Sequence, residues 1–293
     1  MKKLIIIILN FFGIKRFIKK ILNYCGYRLI YSQTITFFDA LCTVLQIYKI
    51  NTIVDVGANI GQFSGKILKL NYKNRLILIE PVKKTFEVLK KNFEKNKSFN
   101  KNIEFHNIAL GLETSKKHIY KSIRGGGTGD MNSLLKISQE GKKLVKNSNI
   151  VDQELAEVVD INEFLKKINF ENNTLLKLDA EGFDFKLLKH IDLNILKKII
   201  GVFIEVPNNV HFFEEQEGDL MTITKYLSDR GFFLYNLDPL FINEPTGQLL
   251  LMDVLYLNKD IKAQNLNPEY NEKLGNPKVY YWPESHPAKN LNE

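Results

Sequence analysis

From Asn51 onward, short apolar runs alternate with longer amphipathic ones, and this rhythm limits the fold more than any other feature of the chain. Thr52–Val56, Arg75–Ile79 and Ile103–Ala109 read as strands, with helices over Gly61–Leu70 and Val82–Asn96 between them. Phe86, Leu89 and Phe93 share one face of the second helix. Further strands fall at Leu175–Leu178 and Val202–Val206 around a helix at Asp184–His190, and Phe232–Asn236 with Leu249–Leu257 read as a closing antiparallel pair. Strands that alternate with helices need crossover connections. The pattern therefore predicts an α/β fold, a doubly wound (Rossmann-like), mostly parallel seven-stranded sheet covered on both faces. Its ligand crevice belongs at the carboxyl ends of the strands. Between Leu110 and Ile168 the rhythm breaks. Arg124–Asp130 is a Gly-rich loop, Asn132-Ser133-Leu134-Leu135 follows, and Val158–Ile161 and Asn162–Lys167 read as a strand and a helix. The stretch predicts an insertion between the third and fourth strands of the sheet, and long insertions in compact domains often carry binding.

Three strand ends carry chemistry. The run from Ile53 to Ser64 ends a strand at Gly57, turns, and starts a helix near Gly61. Glycines there let backbone approach a ligand closely. Asn59 and Gln62 stand where a dinucleotide fingerprint has its second and third glycines, and Gly61–Lys66 is one residue too short for a P-loop, so neither nucleotide motif is present. Asp55 can serve an ammonium group or orient the turn. Glu80-Pro81 follows the second strand, 23 residues after Gly57. An acid at that place can accept both hydroxyls of an adenosine ribose. In the third motif, Asp179 and Glu181 follow an apolar strand and precede Gly182 and a helix, and Glu205 ends the next strand. Loop capping or salt bridging would account for any of these acids singly; acids at neighbouring strand ends point to the ligand crevice.

The runs DVGANIGQFS, LIEP, ALG (Ala109–Gly111), NSLL, VVDINEFL, LKLDAEG and FIEV, in that order, together resemble the FkbM family of methyltransferases over roughly Asn51 to Pro207. Ala180 stands where the family often has Val. The resemblance implies S-adenosylmethionine as cofactor and O-methylation, often of a sugar hydroxyl in a glycan or natural product. It maps cofactor contacts onto Asp55, Gly57, Asn59, Gly61 and Glu80, with Asn107-Ile108-Ala109 near the adenine. The positions nearest the acceptor would be Asp179, Glu181 and Glu205. The expected domains are a basic N-terminal extension (1–35), a methyltransferase domain (36–260, insertion at about 112–168) and a tail (261–293).

The formal charge of +8 is concentrated at one end: residues 1–30 hold seven Lys and Arg and no acid. Lys15, Arg16, Lys19 and Lys20 fall on one helical arc, and Ile14, Phe17, Ile18, Ile21 and Leu22 on the other. Such a helix can lie on an anionic membrane surface, or pack on the protein's own core or a second subunit. The apolar stretch Leu4–Ile14 is too short to span a bilayer, which takes about 20 residues. The expected location is the cytoplasm, with the inner face of the membrane as a peripheral site. A nucleic-acid partner is not expected, and oligomerisation is left open. Cys25 and Cys42 make no disulfide framework or metal motif, and His106, His118, His190 and His286 show no ligand spacing, so zinc is not expected. The clustered Asp and Glu could instead hold Mg²⁺, which the resemblance does not settle, and no metal ligand is assigned.

Alcohol methylation needs a proton acceptor near the hydroxyl. Asp179 is the first candidate and His211 the second. Rival readings are a lipid or protein acceptor, a membrane-peripheral binding protein with an inactive methyltransferase fold, and a nucleotide-sugar oxidoreductase. The last is disfavoured by the missing glycine fingerprint.

Overall fold

The computed structural model describes residues 36–70, 72–94, 102–122, 131–145, 148, 150–168 and 173–260. The chain divides into two units at Ala40 and Leu41. Of the first, residues 36–40 are described. They begin helix α1 (Phe37–Ile47), where Thr36 and Asp39 cap each other: the Thr36 amide donates to Asp39 Oδ2 at 3.0 Å and the Asp39 amide to Thr36 Oγ1 at 3.1 Å. The N-terminal readings on residues 1–35, the Gly-rich loop and the 261–293 tail lie outside the described residues. Among the described residues no helix is long and apolar enough to cross a membrane.

The second unit is built on strands β1 (Thr52–Val56), β2 (Arg75–Ile79), β3 (Ile103–His106), β4 (Ala109–Gly111), β5 (Ser115–Ser122), β6 (Ile150–Asp160), β7 (Thr174–Leu178), β8 (Ile199–Pro207), β9 (Phe232–Asn243) and β10 (Gln248–Asn258). Seven of them form one sheet in the order β3-β2-β1-β7-β8-β10-β9. It is parallel throughout except β10, which runs antiparallel to β8 and β9. Every residue of β1 and β7 is buried, as expected of central strands covered on both faces, and their sequences are accordingly near-continuous apolar runs. The expected doubly wound sheet is therefore present, with helices α2 (Gln62–Lys69), α3 (Lys83–Glu94), α5 (Ile161–Lys167), α6 (Asp184–His190), α7 (Leu193–Leu196) and α8 (Leu220–Ser228) as connections. Strand order reverses between β1 and β7, which puts the switch point, and the ligand crevice, at their carboxyl ends.

The expected third strand is divided. β3 stops at His106 because Asn107 donates its amide to the carbonyls of Glu80 (2.9 Å) and Pro81 (3.0 Å), and Ala109–Gly111 then enters a second sheet. That sheet has the order β4-β6-β5 and forms most of the insertion, together with helix α4 (Gln139–Leu144). Its strands are longer and more polar than the sequence reading allowed: β5 was not anticipated, and β6 extends well before Val158. A small core of Val82, Ala109, Ile119, Ala156 and Val158 joins this sheet to the turn after β2, with Leu134 packed against it.

Candidate active site

Gly57 sits at the end of β1 with φ +74°, and a side chain there would run into the Asp179 carbonyl oxygen at 1.7 Å. The β1 turn and the β7 turn are thus in backbone contact, and only glycine permits it. Gly61, φ +93°, serves a different contact: a Cβ would collide with the Phe93 ring at 2.2 Å, so this residue seats α2 against α3.

The turns wall a cleft lined by Gly57, Asn59, Glu80, Pro81, Ile108, Ala109, Ile119, Asn132, Leu134, Asp179 and Glu181 among others. Glu80 is 5% exposed. Its two carboxylate oxygens accept the Asn59 amide at 3.1 Å and the Val82 amide at 2.9 Å. Burial pushes its carboxyl up to about 7 against the pull of those two amides. Each oxygen keeps a lone pair for a further donor.

Asp55 is not in the cleft wall. It is fully buried behind the turn, where Oδ2 accepts the Ser64 hydroxyl and Oδ1 pairs with Lys177 Nζ at 3.1 Å. The same ammonium holds Asp179 Oδ2 at 2.9 Å. Burial alone would lower the Lys177 ammonium, but Asp179 and Asp55 outweigh it and hold it above its ordinary range. Of the two readings open for Asp55, ammonium partner or turn orienter, this geometry fits the second. Asn107 likewise holds the Glu80-Pro81 turn in place and does not line the cleft, while Ala109 does.

The β7 turn is held by two groups that sequence reasoning did not single out. Asp184 accepts the amides of Ala180 (2.5 Å) and Gly182 (3.0 Å), and Ser133 donates its hydroxyl to the Glu181 carbonyl at 2.7 Å. Glu181 itself is held at φ 51°, a left-handed conformation rare for its residue type. Lys177 was equally readable in principle, since a charge inside an apolar central strand must find a buried partner.

Glu181 also lines a second cavity of about 280 Å³ with Glu205, Gln216, Phe212, Phe213 and Phe241. Burial and then the charges of Glu181, Asp179, Asp184 and Asp253 push the Glu205 carboxyl well above the usual range. Asp179 and Glu181 thus share the first cleft, and Glu181 and Glu205 the second cavity. His211 is a correction: its ring is exposed and lines neither cavity, and its backbone is tied to Glu140 and Ser138 at the surface. Among the described residues no group of three His, Cys, Asp or Glu is arranged to hold a metal.

Residues 55–234 match the methyltransferase FkbM domain, more than half of the chain. The chain belongs to the FkbM methyltransferase family. Members of this family use S-adenosylmethionine, and the chain is accordingly a methyltransferase. It is 24% identical over 186 residues to a protein named Methyltransferase 1 from Beauveria bassiana (strain ARSEF 2860), covering 61% of this chain and 71% of that one. Among solved structures it is similar to an FkbM methyltransferase from Methylobacillus flagellatus KT at 17% identity and TM-score 0.45, over 75% of this chain and 47% of that chain. It therefore spans about half the length of that structure. The residues of the first cleft fit this family's cofactor: a carboxylate for a ribose, an apolar wall for a base, and in that wall the Asn132 amide oxygen, which is buried with no hydrogen-bond partner.

Proposed function

We propose that the chain is an S-adenosylmethionine-dependent O-methyltransferase whose acceptor is a sugar hydroxyl of a surface glycan or glycolipid. The observation that carries this reading is Glu181, a wall common to two cavities of different chemistry. In this reading the first cleft holds the cofactor, with Glu80 accepting from the ribose and the Gly57–Asn59 turn beside the amino-acid portion. When bound, S-adenosylmethionine supplies a sulfonium methyl group. The second cavity holds the acceptor. Its three phenylalanines offer flat apolar faces for the C–H side of a sugar ring, and Glu181, Glu205 and Gln216 offer hydrogen-bonding groups to its hydroxyls. Asp179 takes the hydroxyl proton. Its carboxylate is held by Lys177, 37% of its side chain is exposed, and it lines the cleft. The basic segment 1–30 suits an acceptor carried on an anionic membrane surface.

The test has two arms. Calorimetry should give binding of S-adenosylmethionine and S-adenosylhomocysteine in the micromolar range and none of NAD. Transfer of labelled methyl from S-adenosylmethionine to a glycolipid or polysaccharide extract should fall about 10²–10⁴-fold in Asp179→Asn, with cofactor affinity kept. No cofactor binding would overturn the cofactor reading, and full transfer by the variant would remove Asp179 as the base.

A further inference from the structure

Asn132 is the polar member of an otherwise apolar stretch of the cleft wall. The antiparallel bridge between Tyr120 and Ser133 sets Leu134 across from Ile119 and Asn132 across from Lys121. Opposite residues of such a pair share a face. Ile119, Leu134 and Asn132 all line the cleft, and Ser133, on the other face, reaches back to the Glu181 carbonyl. The Asn132 end of the cleft is fixed by a short relay: Lys121 pairs with Glu154 at 3.4 Å, and Glu154 accepts the Lys83 amide at 2.9 Å, just past Glu80-Pro81. Pro81, Ile108, Ala109, Ile119 and Leu134 make this part of the cleft apolar. Asn132 lines it as well, and its amide oxygen is buried and without a hydrogen-bond partner. A buried acceptor left unpaired is costly, so it marks the place of a donor carried by the ligand.

We propose that Asn132 reads the adenine edge of the cofactor, its Oδ1 accepting from the 6-amino group. This rests on the first cleft being the cofactor site. An asparagine amide matches adenine because the base offers a donor and an acceptor side by side, and the pair is planar. The apolar wall supplies the contact with the ring faces, and Asn132 supplies the choice of base. The specificity residue thus comes from the insertion, outside the seven-stranded sheet.

The test compares S-adenosylhomocysteine with its purine-riboside analogue, which carries hydrogen in place of the 6-amino group, by calorimetry on the full chain. The wild type should prefer the amino form by about 5- to 100-fold, the discrimination one such pair provides. Asn132→Leu should bind the two forms within about twofold of each other, with an unchanged thermal midpoint. Asn132→Asp keeps the accepting oxygen and should keep the preference, which also covers the case in which the leucine variant does not fold. Equal binding of both forms by the wild type, a preference retained in folded Asn132→Leu, or a preference lost in Asn132→Asp would each overturn the assignment. Failure of the wild type to bind S-adenosylhomocysteine at all would instead remove the cofactor reading on which it rests.

Discussion

The two walls of the first cleft are built on opposite physical terms. One wall is made by the carboxyl ends of β1, β2 and β7, and there the carboxylates are held in place: Asp179 on Lys177, which Asp55 pairs from behind the turn, and Glu80 on two backbone amides, while buried Asp184 holds the β7 turn through two more. The other wall is the inserted sheet with Asn132–Leu134, apolar apart from one amide whose oxygen has no partner. The first wall's charges are paired within the fold; the second holds an amide oxygen with no partner there. Preorganised charge suits the reacting end of a ligand, where geometry must not relax. A single unpaired amide on an apolar surface suits recognition of a neutral, planar end.

Lys177 is the sharpest way to break that contrast. Lys177→Met leaves Asp55 as an uncompensated buried charge, which costs about 3–5 kcal/mol. Urea unfolding should show a loss of that size, whereas Asn132→Leu should change stability by less than about 1 kcal/mol. Equal losses in the two variants would mean that the walls do not differ as argued. Next in size is Glu80. Glu80→Gln keeps the shape but removes the charge that strengthens its bonds to a ribose, a difference of about 1.5–3 kcal/mol. S-Adenosylhomocysteine affinity should fall about 10- to 100-fold, read by calorimetry. An unchanged affinity in the folded variant would free Glu80 of the ribose role.

The same contrast explains what could be read before folding. The sheet-end wall was legible because each of its acids follows an apolar run and precedes a turn, so Asp179, Glu181 and Glu205 were placed together by sequence order alone. Which of them faces ligand was not legible. Asp55 and Lys177 are more than 120 residues apart and meet only through the register of β1 on β7, in which they are direct partners. The inserted wall was hidden by its composition. In β5, Lys116, Lys117 and His118 are exposed in succession, which erases the two-residue alternation of a half-buried strand. In β6 Asp152 and Gln153 are likewise exposed in succession, and only its apolar end at Val158 was recognised. His211 was singled out for its chemistry alone, and the chain carries it to the surface near Glu140.

The smallest effect, and the most discriminating in sign, is the response to pH. Burial holds the Glu80 carboxyl near 7, above the ordinary 4.5 of the unfolded chain. Between those values the folded state binds more protons than the unfolded one, so Glu80 contributes stability that is present below about pH 4.5 and is lost as pH rises through about 7. Asp184, raised to about 6, and Asp253, raised to about 7, act in the same direction. The unliganded protein should therefore lose stability as pH rises over this window. Cofactor affinity should move the other way. Two ribose hydroxyls donate to a carboxylate, not to a carboxylic acid, so the proton on Glu80 must leave before both bonds can form. Affinity for S-adenosylhomocysteine should rise by up to about tenfold per pH unit between pH 6 and 7 and level off above it, as expected for the loss of one proton. In Glu80→Gln the curve should be flat over the same range. If the wild-type curve is flat as well, or the variant keeps its slope, the group that titrates is not Glu80, and the locked wall contributes to binding only by shape.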